Sequence, residues 1–187
     1  MQESVYLRTL RVMQIGVALT APGGFPLLKL FGGTPAMPTN CAAGDPSLLL
    51  CQVTLPAIPL AFANGVATML GNWSGIAINT GFVQSFRLYD SLLGCHVQGY
   101  ASELWQPSTT YQQGQNVSNA NGIYDCFTGG VSASIGQGPS GTGTGIVDGS
   151  AVWNYVAPAA EMILGSTNIS SGLSLPVQSF SISAANA

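Results

Sequence analysis

Charge is what this chain has least of. Charged residues are 6% of its 187, against about 25% in an average soluble domain. Four residues are basic and seven acidic. Arg8, Arg11, Lys29 and Arg87 are scattered, so no basic patch exists to neutralise phosphates and nucleic-acid binding is not expected. Membrane binding through cations is not expected on the same ground. No apolar run reaches membrane-spanning length: Val12 to Leu19 is interrupted by Gln14 and runs into Thr20-Ala21-Pro22-Gly23-Gly24. A secretory leader is not expected either, because Glu3 precedes Arg8 and Arg11 and the apolar segment is short. These features suggest a protein made and assembled in a cytoplasm.

Histidine is reduced to His96, and Cys41, Cys51, Cys95 and Cys126 form no CxxC pair. Neither a metal nor a redox site is expected. In a cytoplasm the four cysteines read as buried or half-buried thiols. Cys95-His96 could be a nucleophile and its base, but with no acidic orienter nearby a structural histidine is expected. Glu103, Asp125, Asp148 and Glu161 are the carboxylates to weigh for glycoside hydrolysis. Asp148 reads as a turn residue and Glu161 as a junction residue, and nothing marks two of them as a pair. Gly136 to Gly145 has no lysine and does not lead a strand into a helix, so it is not a phosphate loop. The expectation is no catalytic residue, no metal and no cofactor.

Apolar residues and glycine are plentiful: 47% hydrophobic, with 24 glycines. A lone protein with so few charges is poorly guarded against self-association. A subunit packed into an assembly needs no such guard, so a homo-oligomer or a larger particle is expected. Residues 1–24 read as an N-terminal helix or arm, with Glu3 in the first turn, Val5, Leu10, Val12 and Val17 as apolar positions, and Ala21-Pro22-Gly23-Gly24 as the stop. It either packs on its own domain or docks on a neighbouring subunit.

Beyond it the signals are β. Leu27 to Phe31, Leu48 to Leu55, Gly75 to Thr80 and Leu93 to Gly99 read as strands, with Ile76 and Ile78 on one face. In Phe82 to Asp90, alternation puts Phe82, Phe86 and Leu88 on one face and Ser85, Arg87 and Tyr89 on the other. In Leu173 to Ile182 the phase changes between Val177 and Phe180, which predicts a bulge near Gln178, and Pro176 predicts an edge position or strand start. Short strands between Gly, Pro and Asn predict a mainly β protein, a β-sandwich or jelly-roll-like domain over 25–103 plus 158–187. Between them, 104–157 is poorer in aliphatic residues and rich in Gly, Gln, Ser and aromatics, and reads as an inserted small β module.

Two resemblances follow from quoted residues. Lys29-Leu30-Phe31-Gly32-Gly33-Thr34-Pro35-Ala36, Leu48-Leu49-Leu50, Ala61-Phe62-Ala63-Asn64-Gly65-Val66, Phe86-Arg87-Leu88-Tyr89-Asp90, Val97-Gln98-Gly99, Ile163-Leu164 and Val177-Gln178-Ser179-Phe180-Ser181-Ile182 together resemble a family of small bacteriophage structural proteins. The chain departs from that pattern at Phe31-Gly32 and by carrying the insertion. The insertion itself, with Trp105, Pro107, Tyr111, Gly114, Val117, Tyr124, Cys126, Gly130, Ser132, Gly138-Pro139, Gly141, Gly143, Asp148-Gly149, Trp153 and Tyr155, resembles small carbohydrate-binding modules of the chitin-binding kind.

The first resemblance implies a capsid decoration or cement protein of the virion, partnered by the major capsid protein or other virion proteins. A tail or baseplate adhesion protein and a secreted carbohydrate-binding accessory protein are the alternatives. The second implies glycans as ligands, with Trp105, Tyr111, Tyr124, Trp153 and Tyr155 as sugar-binding candidates and Gln112, Gln113, Gln115, Asn116 and Asn119 as amide partners. Against this, a unit of some 50 residues buries little core, so the same aromatics are needed inside it, Trp105 and Trp153 above all. The glycines at 138, 141, 143, 145 and 149 suit turns with positive φ, and Asp148-Gly149 signals a hairpin.

Overall fold

A computed structural model describes residues 3–33, 37–46, 48–120, 122–158 and 160–184. Thr34-Pro35-Ala36 of the phage-like motif lies outside the described residues. The chain is mainly β, with one N-terminal helix and a large mixed sheet folded into a β-sandwich-like body.

Helix α1 spans Val5–Thr20. Ser4 caps it, its hydroxyl accepting from the Leu7 N–H at 3.2 Å. Glu3 therefore precedes the helix instead of lying in its first turn, and it pairs with Arg11 at 2.7 Å. The helix packs on its own domain. Val12 and Leu19 are buried, Thr9 Oγ1 accepts from the Gly65 N–H at 2.8 Å, and a Cβ on Gly16 would stand 2.5 Å from the Phe62 ring.

The body's strands are β1 (Leu27–Gly32), β2 (Leu48–Thr54), β3 (Leu60–Ala63), β4 (Val66–Met69), β5 (Ser74–Ile76), β6 (Gly81–Tyr89) and β7 (Cys95–Leu104). The insertion adds β8 (Thr110–Tyr111), β9 (Asn116–Asn119), β10 (Gly122–Thr128), β11 (Gly130–Val131), β12 (Ile146–Asp148) and β13 (Ala151–Pro158). The chain returns with β14 (Met162–Leu164), β15 (Asn168–Ile169) and β16 (Ser174–Ser183). Antiparallel β2, β1, β6 and β7 lie side by side, and β7 continues through parallel β14 to β16, β4 and β3. The sheet closes on itself enough that Phe86 of β6 meets Phe180 of β16 edge-to-face at 5.4 Å, with Trp73 at 5.1 Å from Phe180.

Bulges set which side chains point inward. Ile163 pairs with Ser179 and Leu164 with Val177, so Gln178 is the extra residue and Val177 and Phe180 both reach the core. Pro176 stands near the start of β16, paired with β5. On β6 the register to β1 skips Gln84, since Phe31 pairs with Ser85 and Gly32 with Val83. This corrects the simple alternation: Val83 enters the core with Phe86 and Leu88, and Phe82 is turned out. Ile76 and Ile78 do share a face, but it is the exposed one, with Ala77 buried between them.

Across the outer side of β6 and β7 lies the segment 37–46. Arg87 is only 2% exposed and donates to Ala43 O and Asp45 Oδ1, both at 2.9 Å, to Gln98 Oε1 at 3.0 Å and to Asn40 O at 3.2 Å. Tyr89 also donates to Asp45, and Lys29 pairs with it at 2.9 Å. Burial works to raise the Asp45 carboxyl, but the hydrogen bonds from Tyr89, Lys29 and Arg87 outweigh it and hold it below its ordinary value. Cys41 and Cys95 join this segment to β7 as a disulfide with Cα atoms 5.3 Å apart. This corrects the expectation of four thiols: Cys51 and Cys126 are buried thiols, whereas Cys41 and Cys95 are paired.

Candidate functional site

The insertion has its own core, built on Tyr111, Val117, Tyr124, Cys126, Ala151 and Trp153, with Trp105, Ile146 and Tyr155 packed against it. Its sheet, β12-β13-β10-β9, joins the body through a parallel pairing of β9 to β7, Glu103 to Val117 and Leu104 to Ser118. The Asp148-Gly149 signal is realised as a hairpin in which Asp148 pairs with Ala151. Gly149 there has φ +68, and a Cβ on it would meet Val131 O at 2.3 Å. Gly143, unlike its four neighbours in the motif, does not have positive φ.

The five aromatic candidates divide. Tyr111, Tyr124 and Trp153 are buried, Tyr111 against Trp153 at 5.0 Å, so their faces are closed to a sugar. Tyr155 is half-buried beside Tyr124 at 5.9 Å. Trp105 is half-buried, and Gly138 lies so close over its ring that a Cβ would stand 2.7 Å away. Its remaining surface lines a cleft of about 410 Å³ with Leu104, Gln106, Ser118 and Asn119. The amides divide likewise. Gln115 and Asn116 are buried, and Asn119 donates to Pro139 O at 2.9 Å, so three of the five serve the fold; Gln112 and Gln113 are exposed.

Asp148 does more than turn the chain. Its Oδ2 accepts from the indole N–H of Trp105 at 2.8 Å and of Trp153 at 3.3 Å, and its Oδ1 from the Ala133 N–H at 3.0 Å. One buried carboxylate thus ties both tryptophans to the loop after β11. Glu103 accepts from the Thr167 N–H at 2.6 Å, and Glu161 from the Tyr100 N–H at 3.3 Å. His96 does have an acidic orienter: Asp90 Oδ2 lies 2.8 Å from its Nε2. That hydrogen bond holds the Asp90 carboxyl below its ordinary value, against its burial and helped by the Gly94 and Leu92 N–H groups. Cys95, the neighbour that would be the nucleophile, is in the disulfide.

Asp125 is the carboxylate without a structural task. Its Oδ1 is buried and has no hydrogen-bond partner, and burial pushes the carboxyl above its ordinary value. Burial and the nearby Asp125 together push the Cys126 thiol up to about 11, so it is no nucleophile at neutral pH. Asp125 lines a second cleft, about 550 Å³, with Phe82, Gln84, Gln113, Gly114 and Phe127. In the sequence Asp125 stands out only as one of the carboxylates to weigh for hydrolysis, and no local signal marks Phe127. Two bulges build this cleft. The one at Gln84 turns out Phe82, and a second in β10, where Cys126 pairs with Trp153 and Thr128 with Val152, leaves Phe127 unpaired and 55% exposed.

Among the described residues no group of three or more His, Cys, Asp or Glu side chains could hold a metal, and no helix is long and apolar enough to cross a membrane. No protein-family model, curated protein or solved structure matches the chain.

Proposed function

We propose that the chain is a non-enzymatic structural component of a bacteriophage virion, a capsid decoration protein that displays the inserted module on the particle. The observation that carries this is the outer face of α1. Tyr6, Leu10, Met13 and Val17 recur at helical spacing and are exposed, although the opposite face is already packed on the body. Ile58 stands beside them, exposed on the rim of a groove lined by Met13, Val17 and Phe62. A second apolar ridge on a docked helix suits a contact with the major capsid protein, another virion protein or another copy of this chain. The disulfide is compatible with a particle that is assembled in a cytoplasm and then works outside it. The carboxylate partners described above favour a structural role over hydrolysis. Glycan binding by the module rests on the cleft that the half-buried Trp105 lines with Gln106, Ser118 and Asn119.

Imaging of purified particles tests the proposal. The expected result is many copies clustered at symmetry axes of the head, with α1 against the shell, and reduced incorporation of a Leu10→Glu, Val17→Glu variant. Finding the protein solely at the tail overturns the decoration role in favour of adhesion. Its absence from particles overturns the virion assignment.

A further inference from the structure

The second cleft combines features that the fold itself does not require. Asp125 Oδ1 is buried without a donor, while the half-buried side chain as a whole lines the cleft, so its charge has no partner from this chain. The chain's four Lys and Arg residues do not reach it: Lys29 and Arg87 engage Asp45, Arg11 engages Glu3, and Arg8 lies beside Gly65. Bulges, which often re-aim side chains next to binding sites, occur on both walls and point Phe82 and Phe127 at the same opening. Phenyl rings attract cations and cover alkyl carbon; here Phe127 is exposed and Phe82 half-buried. The volume, about 550 Å³, is within the range of about 300–1,000 Å³ typical of small-molecule sites. A phosphate or carboxylate would be repelled by Asp125, and a neutral molecule would leave its charge uncompensated.

We propose that the cleft formed by Phe82, Gln84, Gln113, Asp125 and Phe127 binds an alkylammonium ion, the Asp125 carboxylate facing the nitrogen and the two rings flanking its carbon chain. This assignment is independent of the virion role and of the Trp105 cleft. The same chemistry is carried by a free amine and by a lysine side chain on another protein.

Titration of the full chain with n-butylammonium, followed by amide NMR shifts or calorimetry, tests it, with n-butanol as the uncharged counterpart. The expected result is saturable binding with a dissociation constant below about 10 mM, at least tenfold tighter than n-butanol. Shifts should be centred on Gln84, Gly114 and Phe127. Asp125→Asn, which removes a buried unpaired charge and should fold at least as well, is expected to weaken binding tenfold or more, and Phe127→Ala at least threefold. A lysine-containing tripeptide compared with its side-chain-acetylated form separates the two sources. Binding of the lysine form tighter than butylammonium assigns the site to a partner's side chain, and the reverse assigns it to a free amine. Equal binding of butanol and butylammonium, unchanged affinity in folded Asp125→Asn, or no saturable binding overturns the proposal.

Discussion

Replacing Asp148 by asparagine keeps the shape of the side chain and removes its charge and one acceptor oxygen. The native carboxylate takes three donors: two indole N–H groups on Oδ2 and the Ala133 N–H on Oδ1. Asparagine has one acceptor oxygen, so in its better orientation it serves the indoles and turns its own NH2 against the Ala133 N–H. Hydrogen bonds to charged groups are worth about 1.5–3 kcal/mol, against about 1 for neutral ones. Losing one outright and weakening two therefore costs about 3 kcal/mol. For a chain of 187 residues this corresponds to a midpoint lower by about 6–12 °C. Thermal unfolding followed by near-ultraviolet dichroism and tryptophan fluorescence is the assay, since Trp105 and Trp153 both report on the site. A midpoint within about 2 °C of the unmodified protein, with an unchanged tryptophan spectrum, would refute the idea that Asp148 organises the insertion's core.

Three further outcomes follow from the segment over β6 and β7 and from Asp90 beside it. Denatured, unreduced protein should show two free thiols, Cys51 and Cys126. Converting both Cys41 and Cys95 to serine should cost up to about 4 kcal/mol in a denaturant titration, for a bridge between residues 54 apart, whereas four free thiols in the oxidised protein would contradict the pairing. Asp45 and Asp90 are both held below the ordinary 3.8. Their stabilisation is therefore fully present above that pH and is lost as pH falls through the lower, folded-state values. Stability measured from pH 5 down to 2 should fall, more gently in Asp45→Asn; an equal slope in that variant would show that Asp45 is not the group responsible.

What could be read in the sequence was what depends on neighbours along it. The helix, most of the strands and the hairpin at Asp148-Gly149 follow from local spacing, and even the bulge at Gln178 left a visible change of phase. The bulge at Gln84 left none, because Val83 and Phe82 are both apolar and either could face the core. The aromatics of the insertion were legible as important but not as inward or outward, since a small unit uses large rings for its own core first. Asp148 resembles any turn aspartate until Trp105, 43 positions away, is brought beside it. The Cys41–Cys95 pair and the importance of Asp125 likewise depend on contacts made only when distant strands align.

The parallel join between β7 and β9 decides how the insertion can behave. A unit hung on two flexible linkers would swivel, and each copy would present a different aspect. Here the ladder of backbone hydrogen bonds runs from the body straight into the insertion, so turning one against the other means breaking the sheet. In an ordered array every copy would hold its two clefts at the same angle to the surface beneath. Weak single contacts made by such an array would add along fixed directions, and avidity would depend on the geometry of the lattice more than on the reach of any one arm.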